Sequence, residues 1–167
     1  MATGFTADIS SGGSDLHSLS TIVWTGSSFI GYKGSYSDVV SFDVNDTSTS
    51  TIVFSGGLGP KDHAVVSGHL YSLTSDLVRI HTLDGTPVRD VDLSGQYLYM
   101  DSLTWTGTHF VATGSNVGRV WFYDADFNYV KSFDTDIHKS NDSLVFDGVD
   151  LWHVTDTEAK RLPLTYD

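Results

Sequence analysis

A period of about 40 residues runs through the chain and constrains its fold more than any other feature. Four segments, STIVWTG from Ser20, DHAVVSG from Asp62, DSLTWTG from Asp101 and DSLVFDG from Asp142, each end in glycine. Those glycines, Gly26, Gly68, Gly107 and Gly148, stand 42, 39 and 41 residues apart. Ala or an aliphatic residue lies four before each glycine (Ile22, Ala64, Leu103, Leu144). A bulky apolar residue lies two before it (Trp24, Val66, Trp105, Phe146), and another follows the turn (Phe29, Leu70, Phe110, Leu151). A second landmark keeps the same period: apolar runs end at Asp43, Asp84, Asp124 and Asp167. One such unit cannot bury its apolar faces alone, whereas neighbouring copies can cover one another.

Each unit reads as four short strands. In the third they are SLTWT, HFVATG, RVWFYD and YVKSFDT, separated by turns at Gly107, SNVG and ADFN. The run VWFY is bulky at every position, which predicts a strand covered on both faces. Small antiparallel sheets of this length arranged around an axis make an all-β, four-bladed β-propeller. The expected blades are about 17–57, 60–95, 98–136 and 140–167, in a single domain of residues 1–167. Trp24, Trp105 and Phe146 are expected in the core between blades, with Trp121 and Trp152 as further packing residues. The fourth unit stops where its outer strand should begin. Residues 4–10 have the alternation of that strand, so they are expected to complete the last blade beside residues 160–166, removing exposed sheet edges. Donating this strand to a second copy instead would make a homo-oligomer with a larger ring.

The pattern SL-x-W-x-G-x-x-F followed by V-x-x-Y-D resembles the short propeller repeats of the NHL type, most closely in FDGVDLWHVTD and next in WTGTHFVATGS. The resemblance covers nearly the whole chain. It implies the propeller architecture and does not select a function, since propellers host enzymes, lectins and scaffolds alike. The hemopexin-like domain is similar in blade count alone. That family usually ties its first and last blades with a disulfide, and this chain has no cysteine.

The absence of cysteine also excludes thiolate metal sites and cysteine nucleophiles. The formal charge is −12, from 21 acidic residues against 9 basic ones, and Glu158 is the one glutamate. Asp favours turns, so much of this acidity is turn chemistry. No basic face is present to neutralise phosphates, which disfavours nucleic acid as a partner. No apolar run has membrane-spanning length and no signal peptide is evident at the N-terminus.

Ser20, Asp62, Asp101 and Asp142 start the inner strands and are expected to converge at one mouth of the axial channel. Three carboxylates and a hydroxyl there could hold Ca²⁺ through oxygen ligands. The alternative is that each Asp accepts hydrogen bonds from nearby backbone N–H groups and stabilises its own turn. Asp43, Asp84, Asp124 and Asp167 read as hairpin-turn residues. Seven histidines, His17, His63, His69, His81, His109, His138 and His153, have no metal-ligand spacing and read as surface or turn residues. The loop GYKGSYSD departs from the repeat, and its Tyr32 and Tyr36 form a candidate contact for a partner or a glycan. No nucleophile elbow, phosphate loop or acid–base carboxylate pair stands out. The function expected from these observations is a non-enzymatic protein-interaction or structural module. A compact, cysteine-free β protein rich in Ser, Thr, Asp and Gly suits a virion component, such as a capsid decoration, tail or spike protein. The alternatives are a carbohydrate- or receptor-binding propeller and, further off, a metal-dependent hydrolase of the lactonase kind.

Overall fold

The computed structural model describes residues 19–33, 38–43, 46–55, 60–74, 76–95, 100–114, 118–135, 143–155 and 158–162. The regular structure among them is all strand, arranged as antiparallel meanders, and the fold is an all-β, four-bladed β-propeller. The chain divides into two compact units, Met1–Gly59 and Pro60–Asp167.

The first unit is one four-stranded sheet of β1 (Leu19–Trp24), β2 (Phe29–Lys33), β3 (Asp38–Asp43) and β4 (Asp46–Ser55), in that order. Neighbouring residues Val39 and Val40 are both buried, so β3 is covered on both faces. Trp24 departs from the expected core position. It ends β1, an edge strand of its sheet, and is 45% exposed, with its ring 4.8 Å from that of Phe29.

The second unit holds three sheets. The second blade is β5 (Asp62–Val66), β6 (His69–Leu73), β7 (Leu77–Thr82) and β8 (Pro87–Asp92). The third is β9 (Met100–Trp105), β10 (Phe110–Gly114), β11 (Arg119–Tyr123) and β12 (Tyr129–Asp134). The fourth shows β13 (Ser143–Phe146), β14 (Leu151–Val154) and β15 (Ala159–Leu162). The expected closing strand, residues 4–10, lies outside the described residues, as do residues 163–167 of its expected partner segment.

Alternation of side chains along the third blade builds two cores. Phe110, Ala112, Trp121 and Tyr123 pack with Ala64, Leu73, Val78 and Ile80 of the second blade. Val111, Val120 and Phe122 point the other way and pack with Leu144, Leu151 and Leu162 of the fourth. The bulky run at Val120–Tyr123 is therefore buried on both faces, as its composition predicts.

The repeat glycines have φ of +101° (Gly26), +77° (Gly68), +92° (Gly107) and +100° (Gly148). Side chains are strained in that left-handed region, which explains the recurrence of glycine. The residue before three of them closes the turn. Thr25 Oγ1 accepts from Ser28 N at 3.0 Å, Thr106 Oγ1 from His109 N at 3.2 Å, and Asp147 Oδ1 from Asp150 N at 2.7 Å. The second blade differs. Ser67 and Gly68, with φ of +51° and +77°, are the two central residues of a tight hairpin between Val66 and His69. Among the described residues no helix is long and apolar enough to cross a membrane.

Candidate functional site

The short hairpin of the second blade changes which residues are equivalent in space. Two residues separate the paired ends of β5 and β6, whereas four separate those of β9 and β10. When Leu70 is matched to Phe110, its partner Val65 matches Trp105, and Asp62 matches Ser102 rather than Asp101. The hydrogen bonds show the same shift. Asp62 Oδ2 accepts from Leu103 N at 2.8 Å, and one blade further on Ser102 Oγ accepts from Leu144 N at 2.8 Å. Ser102 Oγ donates to Asp62 Oδ2 at 2.7 Å, while Asp62 Oδ1 accepts from His63 N at 2.8 Å. One polar line thus ties the first strands of three blades, β5, β9 and β13.

Asp101 has a different role from Asp62: it is ion-paired with Lys61 of the second blade. Asp62 accepts from the next blade rather than from its own turn alone, and both of its oxygens are engaged by protein donors. Asp142 and the side chain of Ser20 lie outside the described residues. Among the described residues no group of three His, Cys, Asp or Glu side chains is placed to hold a metal ion. Tyr32 is 5% exposed, so its ring is not offered to a ligand at the surface, and Tyr36 lies outside the described residues.

Asp84 and Asp124 behave as their spacing predicts. Asp84 accepts from Thr82 Oγ1 and from Thr86 N; Asp124 accepts from Asp126 N, Asn128 N and Asn128 Nδ2. Hydrogen bonds from the side chains of Thr82 and Asn128 hold Asp84 and Asp124 below the usual carboxylate range. At Asp147 the backbone N–H of Asp150 is the main cause.

Two histidines depart from the surface reading: His63 is 5% exposed and His153 1%. Nδ1 of His63 lies 3.0 Å from Ser72 Oγ, and among the described residues its Nε2 has no hydrogen-bond partner. Burial keeps the ring neutral, lowering its pKa from 6.5 to about 4. As pH falls the unfolded chain takes up this proton first. The stability His63 contributes is complete above about pH 6.5 and is lost between there and about pH 4, up to about 3 kcal/mol. Burial pushes Asp62 upward against its three hydrogen bonds, so its contribution has the opposite sign: it is present below the ordinary carboxylate value and lost as pH rises through the raised one. The turn aspartates lose theirs only as pH falls through their depressed values. Urea midpoints at about pH 7 and about pH 4.5 should differ strongly in the wild type and much less in His63→Asn. An equal difference in both would assign the acid sensitivity to another group.

A groove of about 310 Å³ lies on the outer half of the third blade, lined by Arg119, Trp121, Tyr129 and Ser132. Register puts these side chains on one side of the sheet, because Trp121 pairs with Ser132, Arg119 with Asp134 and Tyr123 with Tyr129. Trp121 is 3% exposed and Tyr129 50%. Arg119 Nε donates to Asp134 Oδ1 at 2.6 Å, and Tyr129 Oη lies 3.1 Å from Ser132 Oγ. This convergence escapes a reading by period, since these residues occupy variable outer-strand positions. The available signal was alternation: R-x-W in β11 opposite Y-x-x-S-x-D in β12.

No family model matches the chain, and no curated protein matches it. Solved structures do. Glutaminyl cyclase of Myxococcus xanthus is similar with a TM-score of 0.67 at 11% identity, over 87% of this chain and 65% of that one. The Pan2 WD40 domain of Neurospora crassa is similar with a TM-score of 0.62 at 14% identity, over 89% of this chain and 48% of that one. BamB of Moraxella catarrhalis follows at 0.58 and 13%, over 80% of this chain and 39% of that one. The chain thus spans less than two thirds of the length of each. At such identities the likeness carries the propeller fold and no activity.

Proposed function

We propose that the chain is a non-enzymatic protein-interaction module that presents the outer strands of its blades to other proteins. The observation that supports this is the exposure of β8 and β12, the last strands of the second and third blades. Val88 is 50% exposed beside Arg89 and Asp90, and Val130 is 45% exposed beside Lys131. Both are edge strands, with backbone groups on one side available to a partner strand. Charges beside the valines keep such edges from pairing indiscriminately and leave room for selectivity. The W-x-G-x-x-F and F-D-G-x-x-L motifs support an assignment to the NHL type of short repeat within the propellers. The narrowest form of this reading is a virion component, motivated by composition alone.

The test is immobilised wild type against the Val88→Asp, Val130→Asp double variant, with retained proteins quantified by mass spectrometry and each candidate then purified and titrated. A purified partner that binds the wild type and loses at least tenfold in affinity to the double variant supports the proposal. Partners that bind both equally refute the outer-strand surface. For the virion setting, purified capsid and tail proteins encoded beside this chain are titrated in the same way, and no binding to any of them refutes that setting.

A further inference from the structure

The groove on the third blade takes in Tyr129 and Ser132 of β12, one of the edge strands just described, and its chemistry selects another kind of ligand. We infer that it is a binding site for a small neutral saccharide, of the size of one or two hexopyranose rings. Its volume of about 310 Å³ is at the small end of ligand sites. Its accessible aromatic surface is the Tyr129 ring, half out in water, while Trp121 beneath is nearly wholly buried. A pyranose ring has one face of C–H groups that can lie on the exposed Tyr129 ring while its hydroxyls point outward.

Three polar residues line the groove, Arg119, Tyr129 and Ser132, and each takes part in a hydrogen bond. Arg119 is bonded to Asp134 at 2.6 Å, and the Tyr129 hydroxyl sits 3.1 Å from Ser132 Oγ. Asp134 offsets the charge of Arg119, and the chain's formal charge of −12 opposes an anion. A sugar hydroxyl is both donor and acceptor. It can accept from the guanidinium while donating to the carboxylate, and a neighbouring hydroxyl can do the same between Tyr129 and Ser132. A phosphate or carboxylate ligand would have to compete with Asp134 for Arg119.

The experiment is a titration of the full chain with glucose, galactose, mannose, N-acetylglucosamine and their β1,4-linked dimers. It is followed by calorimetry and by the indole N–H resonance of Trp121, assigned from the spectrum of Trp121→Phe. At least one sugar is expected to bind and to shift that resonance. Tyr129→Ala and Asp134→Asn, both at exposed side chains and therefore expected to fold, should each weaken the binding at least tenfold. Methyl phosphate and acetate, titrated alongside, should bind more weakly than the best sugar. No binding by any of these sugars up to tens of millimolar, or binding that neither variant changes, would overturn the inference. So would stronger binding of either anion. An outcome in which Val88→Asp, Val130→Asp abolishes protein binding but leaves the sugar bound separates this site from the edge-strand surface.

Discussion

Phe110→Ala is expected to lower the unfolding free energy by about 3–5 kcal/mol, the usual cost of removing a fully buried aromatic side chain. Phe110 is 1% exposed, and its ring lies 4.3 Å from Phe127, 4.6 Å from Tyr71 and 4.6 Å from Trp105. These neighbours come from the second and third blades, so the cavity would open in the joint between them. The surrounding rings are held by β-strand backbone and can collapse only partly, which adds a cavity cost to the lost transfer free energy. Trp105→Ala removes a larger but half-buried side chain and should cost less. Trp24→Ala, at a ring 45% exposed, should cost about 1 kcal/mol or less. Urea unfolding with an unchanged m-value measures all three. A loss below about 1 kcal/mol at Phe110 would show that this joint is not the packed core described above.

Ser102→Ala is expected to cost about 2–4 kcal/mol, a large effect for one hydroxyl. Ser102 is 1% exposed and makes two bonds of opposite sense, donating to Asp62 and accepting from Leu144 N. Its removal leaves the N–H of Leu144, a residue 5% exposed, without this acceptor. It also deprives Asp62 of one of three donors. The penalty comes mainly from desolvated groups left unpaired rather than from the hydroxyl itself. Because both bonds belong to one line, Ser102→Ala and Asp62→Ala should be non-additive, with a coupling of about 1 kcal/mol or more. Amide exchange at Leu144 gives a readout that loss of overall stability alone does not. In Ser102→Ala its protection should fall further than that of Val111 or Phe122, which sit in the same core. Equal loss at all three sites would mean that the line contributes nothing beyond packing.

The turn chemistry was legible in the chain because it is local. Asp84 and Asp124, two residues before the acceptor-seeking N–H groups, act within a few residues of themselves. Other positions were not legible for the opposite reason. Phe127 sits in a segment, ADFN, that reads as a plain turn. Yet it has φ of +66° and is 4% exposed, its ring stacked on Phe110. A residue pays backbone strain of that kind only where tertiary packing returns more. His63 and Tyr32 read as polar or exposed and are buried, since burial depends on which sheet covers a strand. The groove of Arg119, Trp121, Tyr129 and Ser132 forms from two strands whose register no single position reveals.

By itself the sequence determined the repeat, the all-β class and the double-sided burial of the third blade, because periodicity and composition act along one strand. What only the tertiary structure decided is the alignment of one blade on the next. The glycine repeat pairs Asp62 with Asp101. The two-residue turn at Ser67 and Gly68 instead places Asp62 opposite the position of Ser102, and leaves Asp101 to pair with Lys61. The physical reason is the two-residue period of a strand. A change in hairpin length slides one strand along its partner, and a slide of one residue sends every side chain to the other face of the sheet.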